Sequence, residues 1–222
     1  LVRGVAWRHG MQACFMAKPF AEHAGSGLHL HASLADAEGR NLFACSIEEL
    51  QRDDASGAAA LLRHGIAGLL DSLEDGLAVF CPNANSYRRF QANSYAPLSR
   101  NWGINNRTVS MRVPGGPDAS RHVEHRICGA DANPYLAAAL ALEGLYRGIN
   151  AQLDPGAPVT GQPFPNTNGQ LFADFGETMA QTRARLAPTL CAQSPLPASL
   201  DLFCAGPALT PRAGQALRAA GS

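Results

Sequence analysis

The stretch that decides the fold is GSGLHLHASL, residues 25–34. Apolar residues occupy its even positions from 28 to 34, and His29, His31 and Ser33 occupy the positions between them. This period of two is typical of a half-buried strand, with one apolar face and one face that carries two imidazoles and a hydroxyl. The glycines at 25 and 27 allow a bend, or the close approach of a ligand to the backbone. We therefore ask what the polar face of this strand contacts.

The composition indicates one sizeable globular domain. The chain has 222 residues, of which 46% are hydrophobic and 16% charged, and its formal net charge is zero. A neutral chain gives no reason to expect nucleic acid or an anionic membrane as a partner. Six scattered cysteines without a C-x-x-C pair predict reduced thiols and no disulfide framework or zinc site. With no run of 18 apolar residues, the sequence predicts a cytoplasmic protein.

Strand and helix patterns alternate along the first 150 residues. Strands are predicted at 14–20, 28–34, 107–114 and 121–127; helices are predicted at 57–73 and 132–149, with a further possible helix at 174–186. Residues 81–106 are rich in Asn, Ser and Pro and are predicted to form a long functional loop. We expect an α/β (α+β) fold with a largely antiparallel sheet flanked by helices, and an irregular extension over 151–222.

Three groups of residues carry the chemistry. They are the histidine strand (His29, His31 and Ser33), the arginines on or beside the long loop (Arg88, Arg89, Arg107 and Arg112), and the segment RHVEHR at 121–126. In that segment His122, Glu124 and Arg126 share one face of a strand, so the carboxylate either binds a metal or forms an ion pair.

Each group alone has an ordinary structural explanation. Alternating histidines are more often solvated than ligating, and loop arginines usually face water. Together, however, imidazole and carboxylate supply N and O ligands for a divalent cation, and arginines neutralise a polyphosphate. This combination indicates phosphoryl transfer, in which positioning and charge neutralisation carry the catalysis. An ordinary His-metal hydrolase is disfavoured because the chain has no H-E-x-x-H run.

Four motifs in order resemble the glutamine synthetase family. They are KPFAEHAGSGLHLHASL, NSYRRFQANSYAP, NWGINNRTVSMRVP and RHVEHRICGADANPYLAAALALEGLYRGI, all within residues 1–150. The resemblance implies the C-terminal half of a glutamine-synthetase-type catalytic domain. It also implies ligation of the γ-carboxylate of glutamate to ammonia or a primary amine, with ATP and Mg²⁺ or Mn²⁺ as cofactors and γ-glutamyl phosphate as intermediate.

The resemblance also assigns roles to individual residues. His29 and Glu124 are the expected ligands of the cation nearest the ATP phosphates, and His31 and Ser33 are expected to contact ATP. The expected glutamate contacts are Gly25, Arg89 and Arg126. Arg107, the expected catalytic residue, and Arg112 are expected to hold the phosphates.

Three substitutions depart from the family pattern. Tyr95 stands where the family usually has a glutamate that helps deprotonate bound ammonium, and a phenol provides no anionic pocket at neutral pH. This favours a larger amine as acceptor. The segments NSYRRFQANSYAP and GADANPYL are also similar to those of γ-glutamylputrescine synthetases and other γ-glutamyl-amine ligases. Ala24 replaces an Asn, and His122 replaces a common arginine, with Arg121 beside it.

Family members are about twice as long and form rings in which each active site lies between subunits. The N-terminal β-grasp domain and the first half of the catalytic domain, with its glutamate metal ligands, are expected to be absent here. Two hypotheses therefore stay open. The chain is either part of an active glutamate–amine ligase, or a catalytically inactive fragment or pseudoenzyme of the family.

Overall fold

The computed structural model describes residues 1–91 and 94–161, apart from the side chain of Asp75. Eleven elements lie within these ranges. The helices are α1 (Val2–Arg8), α2 (Ile47–Leu50), α3 (Gly57–Asp71), α4 (Leu73–Phe80), α5 (Ala84–Tyr87) and α6 (Pro134–Asn150), with a 3-10 turn at Asp118–Ser120; the strands are β1 (Leu30–Ala32), β2 (Trp102–Ile104), β3 (Met111–Val113) and β4 (Val123–His125). None of the helices in these ranges is long and apolar enough to cross a bilayer.

The four strands form one open sheet in the order β1-β4-β3-β2. β4 pairs antiparallel with both β1 and β3, whereas β2 and β3 run parallel. The mixed α/β fold with a largely antiparallel sheet is therefore confirmed, with the parallel pair as the exception. β1 and β2 lie at the edges of this sheet.

One face of the sheet packs against the helices, which leaves the other face for the polar side chains. Met111, Val113 and Val123 are fully buried and belong to the same core cluster as the apolar residues of α3 and α4. α3 also packs along α6, where the backbones approach so closely that a Cβ on Gly68 would clash with the carbonyl oxygen of Gly144. Since side chains alternate along a strand, the neighbours of these core residues on β3 and β4 point to the opposite face.

Three predicted elements differ in the structure. Residues 14–20 are not a strand; their backbone bonds instead to loops, as where the amide of Ser26 donates to the oxygen of Ala17. The predicted long loop contains α5 and β2. Asn83 and Ser86 form a capping box at the start of α5, and residues 102–104 pair with β3. The helix predicted at 57–73 ends at Asp71, and α4 follows it after Ser72. The possible helix at 174–186, like all residues after 161, lies outside the described residues.

The cysteines within the described ranges are free thiols, as the composition predicts: Cys14, Cys45, Cys81 and Cys128. Burial raises the pKa of the Cys128 thiol to about 12 and also raises the pKa of Cys81. Because the thiolate is the reactive form, burial makes these two thiols less reactive, and both belong to the hydrophobic core.

Candidate functional site

The centre of the polar face is the carboxylate of Glu124, which is only 3% exposed. Its Oε1 accepts a hydrogen bond from Arg126 Nη1 at 2.6 Å, and its Oε2 accepts one from Arg112 Nη1 at 2.7 Å. His29 Nδ1 lies 3.0 Å from Oε1. The register explains the assembly, since Glu124 lies opposite His31 on β1 and opposite Arg112 on β3. Three of the predicted site residues, His29, Arg112 and Arg126, therefore meet at a fourth, Glu124.

The charges in this cluster are fixed by burial and pairing. Burial would raise the pKa of Glu124, but the hydrogen bond from Arg112 and the charges of Arg126 and Arg112 outweigh it, so the pKa is lowered. Burial, followed by the charge of Arg126, lowers the pKa of His29. The cluster at neutral pH therefore holds one carboxylate, two guanidiniums and an uncharged imidazole. Its excess positive charge suits an anion, such as a carboxylate or phosphate, on the open side.

The predicted metal ligands His29 and Glu124 meet, but they supply only part of a cation site. Both oxygens of Glu124 already accept hydrogen bonds from arginines. Within residues 1–91 and 94–161, no group of three or more His, Cys, Asp or Glu residues could hold a metal ion. Mg²⁺ requires near-octahedral oxygen coordination, so these two side chains do not form a magnesium site by themselves.

The Arg89 side chain lies in a cradle of glycines. It is 5% exposed, and its Nη1 donates to the oxygen of Ile127 at 3.0 Å. A Cβ on Gly25 would lie 2.8 Å from Arg89 Cγ, one on Gly27 would lie 2.9 Å from Nη2, and one on Gly129 would lie 3.4 Å from Nη1. The glycines of the opening motif thus admit this arginine, which brings together two of the residues predicted to contact glutamate.

Substitution of Gly27 by alanine is expected to displace the Arg89 guanidinium without unfolding the chain. The new methyl group meets the flexible end of a side chain, so we expect a stability loss of about 1 kcal/mol, at the low end of the cost of overpacking. The Nε–Hε NMR signal of Arg89 should shift, while the melting temperature stays close to that of the wild type. Gly4→Ala, on an exposed helix with nothing within 4 Å of the new methyl, is the matched control. An unchanged Arg89 signal in Gly27→Ala would show that the cradle does not position this side chain.

A cavity of about 310 Å³ lies beside the cluster, where β1 ends and the chain enters β4. His31 and Ser33, the predicted ATP contacts, line it together with His122, and the rings of the two histidines are 5.1 Å apart between centroids. Arg121 does not take the place of the family's arginine. It is buried, donates to the oxygen of Cys45 at 2.9 Å and pairs with Asp118 at 2.7 Å. No arginine or lysine is among the residues that line this cavity in the described part of the chain.

The remaining predicted residues border the cluster. The side chain of Arg107 is exposed, and its backbone oxygen accepts a hydrogen bond from Arg126 Nη2 at 3.0 Å. Arg112 Nη2 donates to Asn105 Oδ1 at 3.3 Å. Tyr95 is 75% exposed. The ligand, substrate and catalytic roles of all these residues stay predictions.

Two residues next to the site were given no role by the sequence analysis. Asn105 has a positive φ of 52°, and its Oδ1 also accepts a hydrogen bond from the amide of Gly115 at 2.6 Å, so it braces Arg112. His125 points to the core beneath the cluster, with its ring 4.3 Å from that of Phe80. The alternation at 121–127 placed His125 on the apolar face, and that was the available signal for its burial.

Comparison with known proteins identifies the family. Residues 1–189 match the family model "Glutamine synthetase, catalytic domain". Over 185 residues the chain is 40% identical to γ-glutamylputrescine synthetase PuuA of Escherichia coli K12, covering 80% of this chain and 37% of that protein. Over 165 residues it is 40% identical to a glutamate–isopropylamine ligase of a Pseudomonas species, covering 73% and 34%.

A solved structure of GmaS without ligand has a similar fold, with a TM-score of 0.71 and 33% identity over 83% of this chain and 42% of that one. The chain spans roughly a third of the length of the curated relatives that it matches, 37% and 34% of the two proteins named above. The family expected from the four motifs is thereby confirmed: the chain belongs to the glutamine synthetase catalytic-domain family.

Proposed function

We propose that this chain acts in the ATP-dependent ligation of the γ-carboxylate of glutamate to an amine. In the first step a γ-carboxylate oxygen attacks the γ-phosphorus of ATP, which yields γ-glutamyl phosphate and ADP. In the second step the amine nitrogen attacks the acyl carbon, phosphate leaves with the C–O bond electrons, and the nitrogen loses a proton. The observation that carries this proposal is the convergence of Arg112, Arg126 and His29 on Glu124, beside a second buried arginine site at Arg89.

The arginines fit the two anionic substrates of this reaction. A guanidinium binds a carboxylate or a phosphate through paired hydrogen bonds. Arg89 and Arg126, held by Ile127 and Glu124, would orient glutamate. Arg112 and the exposed Arg107 would hold the phosphates, where Arg107 stabilises the charge that develops on the transferred group.

ATP and Mg²⁺ or Mn²⁺ are the proposed cofactors. His31 and Ser33 would contact ATP in the cavity of about 310 Å³ that they line. When bound, a divalent cation neutralises phosphate oxygens. His29 and Glu124 offer two donors for it, and its other ligands would come from phosphate oxygens, water or groups outside the described residues.

The proposed acceptor is a primary amine, with ammonia second. Tyr95 stands where an anionic side chain would favour ammonium, and 75% of it is exposed. The two similar ligases named above are a putrescine enzyme and an isopropylamine enzyme, which supports this order.

Exchange of Tyr95 for glutamate is expected to shift the acceptor preference toward ammonia, by about tenfold in the ratio of ammonia-dependent to putrescine-dependent phosphate release. The physical reason is that a carboxylate attracts ammonium and a phenol does not. Tyr95→Phe, which keeps the ring and adds no charge, should leave the ratio unchanged. A ratio that stays constant in all three proteins would show that this position does not select the amine.

The second candidate is a catalytically inactive fragment or pseudoenzyme. It is favoured by the two-donor cation site, because no group of three or more His, Cys, Asp or Glu residues among the described ones could hold a metal ion. Phosphate release by the purified chain distinguishes the two, with Mg·ATP and glutamate present and ammonia, putrescine or a small monoamine as acceptor. Release that depends on an amine supports the ligase, whereas none with any acceptor supports the inactive alternative.

A further inference from the structure

We propose that His31 and His122 form a binding site for one transition-metal ion that prefers imidazole, of the Zn²⁺, Ni²⁺ and Cu²⁺ class. This site is distinct from the magnesium or manganese site proposed at His29 and Glu124. The inference rests on the geometry of the two rings, on the fixed orientation of one of them and on the lining of the cavity between them.

The sheet register brings the two histidines to the same face. His31 lies opposite Glu124, and Ala32 lies opposite Val123, in the antiparallel pair of β1 and β4. His122 is two residues from Glu124, so it is a diagonal neighbour of His31 on the polar face. The two ring centroids are 5.1 Å apart and the rings are tilted by 47°. Two imidazoles that bind one tetrahedral ion at ~2.0–2.1 Å have ring centres roughly 5 Å apart.

A contact with the backbone orients the ring of His122 for metal binding. Its Nδ1 lies 2.7 Å from the backbone oxygen of Ser120. A carbonyl oxygen only accepts, so Nδ1 carries the proton and Nε2 keeps its lone pair. This contact between an imidazole N–H and a backbone carbonyl is the usual outer contact of metal-binding histidines. In the part of the chain that the structure describes, His31 has no hydrogen bond or ion pair that would compete with a metal.

The cavity admits a cation of this class. Its lining contains no arginine or lysine among the described residues, and Arg121 is held away by Cys45 and Asp118. The two imidazoles are borderline-soft donors that favour Zn²⁺, Ni²⁺ or Cu²⁺ over Mg²⁺. Two protein ligands leave positions for water, so the site is open. If the proposed function is correct, a bound ion occupies the place where His31 and Ser33 contact ATP and so inhibits the ligase.

Titration of the chain with Ni²⁺ alone, in the absence of nucleotide, tests the site. We expect isothermal titration calorimetry to show a binding event that His31→Gln and His122→Gln each weaken by about tenfold or more. His9→Gln, at an exposed histidine beside α1, should bind Ni²⁺ like the wild type. Circular dichroism melts confirm that each variant is folded. Equal binding by the wild type and both pocket variants would overturn the proposal.

Histidine ring NMR of the wild type gives a second readout that needs no variant. Paramagnetic Ni²⁺ should broaden the ring signals of His31 and His122 before those of the other five histidines. Broadening that begins at any other histidine would overturn the site. Because both measurements omit ATP and glutamate, their failure leaves the proposed ligase untouched, and a failure of phosphate release leaves the metal site untouched.

Discussion

Replacement of Glu124 by alanine is expected to lower the free energy of unfolding by about 3–5 kcal/mol. The carboxylate is the shared acceptor of Arg112 and Arg126, whose side chains are only 17% and 6% exposed, and it lies 3.0 Å from His29 Nδ1. Its removal leaves two mostly buried guanidiniums side by side without their counter-ion, so each keeps its desolvation cost and gains repulsion from the other. This cost of breaking a buried ion pair greatly exceeds the value of a surface pair.

Urea denaturation at neutral pH, followed by circular dichroism, measures this loss. Glu38→Ala is the matched control, because Glu38 pairs with Arg40 at 3.4 Å and both side chains are at least two-thirds exposed. We expect the control to change stability by less than about 1 kcal/mol. A loss in Glu124→Ala as small as that of the control would mean that the arginines find other acceptors, and the charge assignment of the cluster would be wrong.

The folded chain is expected to lose stability steadily as the pH falls below about 6.5, because of His125. Burial is the main cause that lowers the pKa of this imidazole to about 3, from an ordinary value of 6.5. Between these values the unfolded chain binds a proton that the folded chain excludes, so acid favours unfolding. The contribution of the uncharged His125 to the free energy of unfolding is fully present above pH 6.5. It is lost at about 1.4 kcal/mol per pH unit down to pH 3. The lowered pKa of His29 acts in the same direction.

His125→Phe is expected to remove most of this acid sensitivity. Neither ring nitrogen of His125 finds a hydrogen-bond partner within the described residues, so phenylalanine keeps the contact with Phe80 and buries no polar atom. The free energy of unfolding, measured by urea denaturation at pH 5 and at pH 8, should differ between the two pH values by about 2 kcal/mol more in the wild type than in the variant. His9→Gln, an exposed histidine, should behave as the wild type. Equal pH dependence in wild type and His125→Phe would show that His125 does not limit acid stability.

Local patterns in the sequence were sufficient to predict much of the fold. The alternation at 28–34 and 121–127 predicted β1 and β4, and the run from Asn133 onward predicted α6 with its proline at the start. These elements are determined locally, because alternation of apolar and polar residues and helix capping act within a few residues. Residues 14–20 have the composition of a strand, yet no neighbouring strand among the described residues pairs with them. Whether a segment pairs with a strand depends on parts of the chain that are distant in sequence, so its own composition does not determine the pairing.

The candidate site was likewise predicted only in part from the sequence. The four motifs determined the family and the residues of interest, and alternation placed His122, Glu124 and Arg126 on one face. Only the tertiary structure decided their partners, because strand register sets which side chains lie opposite one another. It brought Arg112 from β3 and His29 from before β1 to the same carboxylate.

The sequence by itself thus determined which chemical groups this protein carries and on which face of β1 and β4 they lie. The tertiary structure decided that Glu124 serves as a counter-ion for arginines and that Arg121 turns inward while His122 faces the cavity. It also buried His125 with no hydrogen-bond partner for either ring nitrogen among the described residues. The physical reason is that charge pairing and desolvation depend on distances between residues far apart in the chain, and folding alone sets those distances.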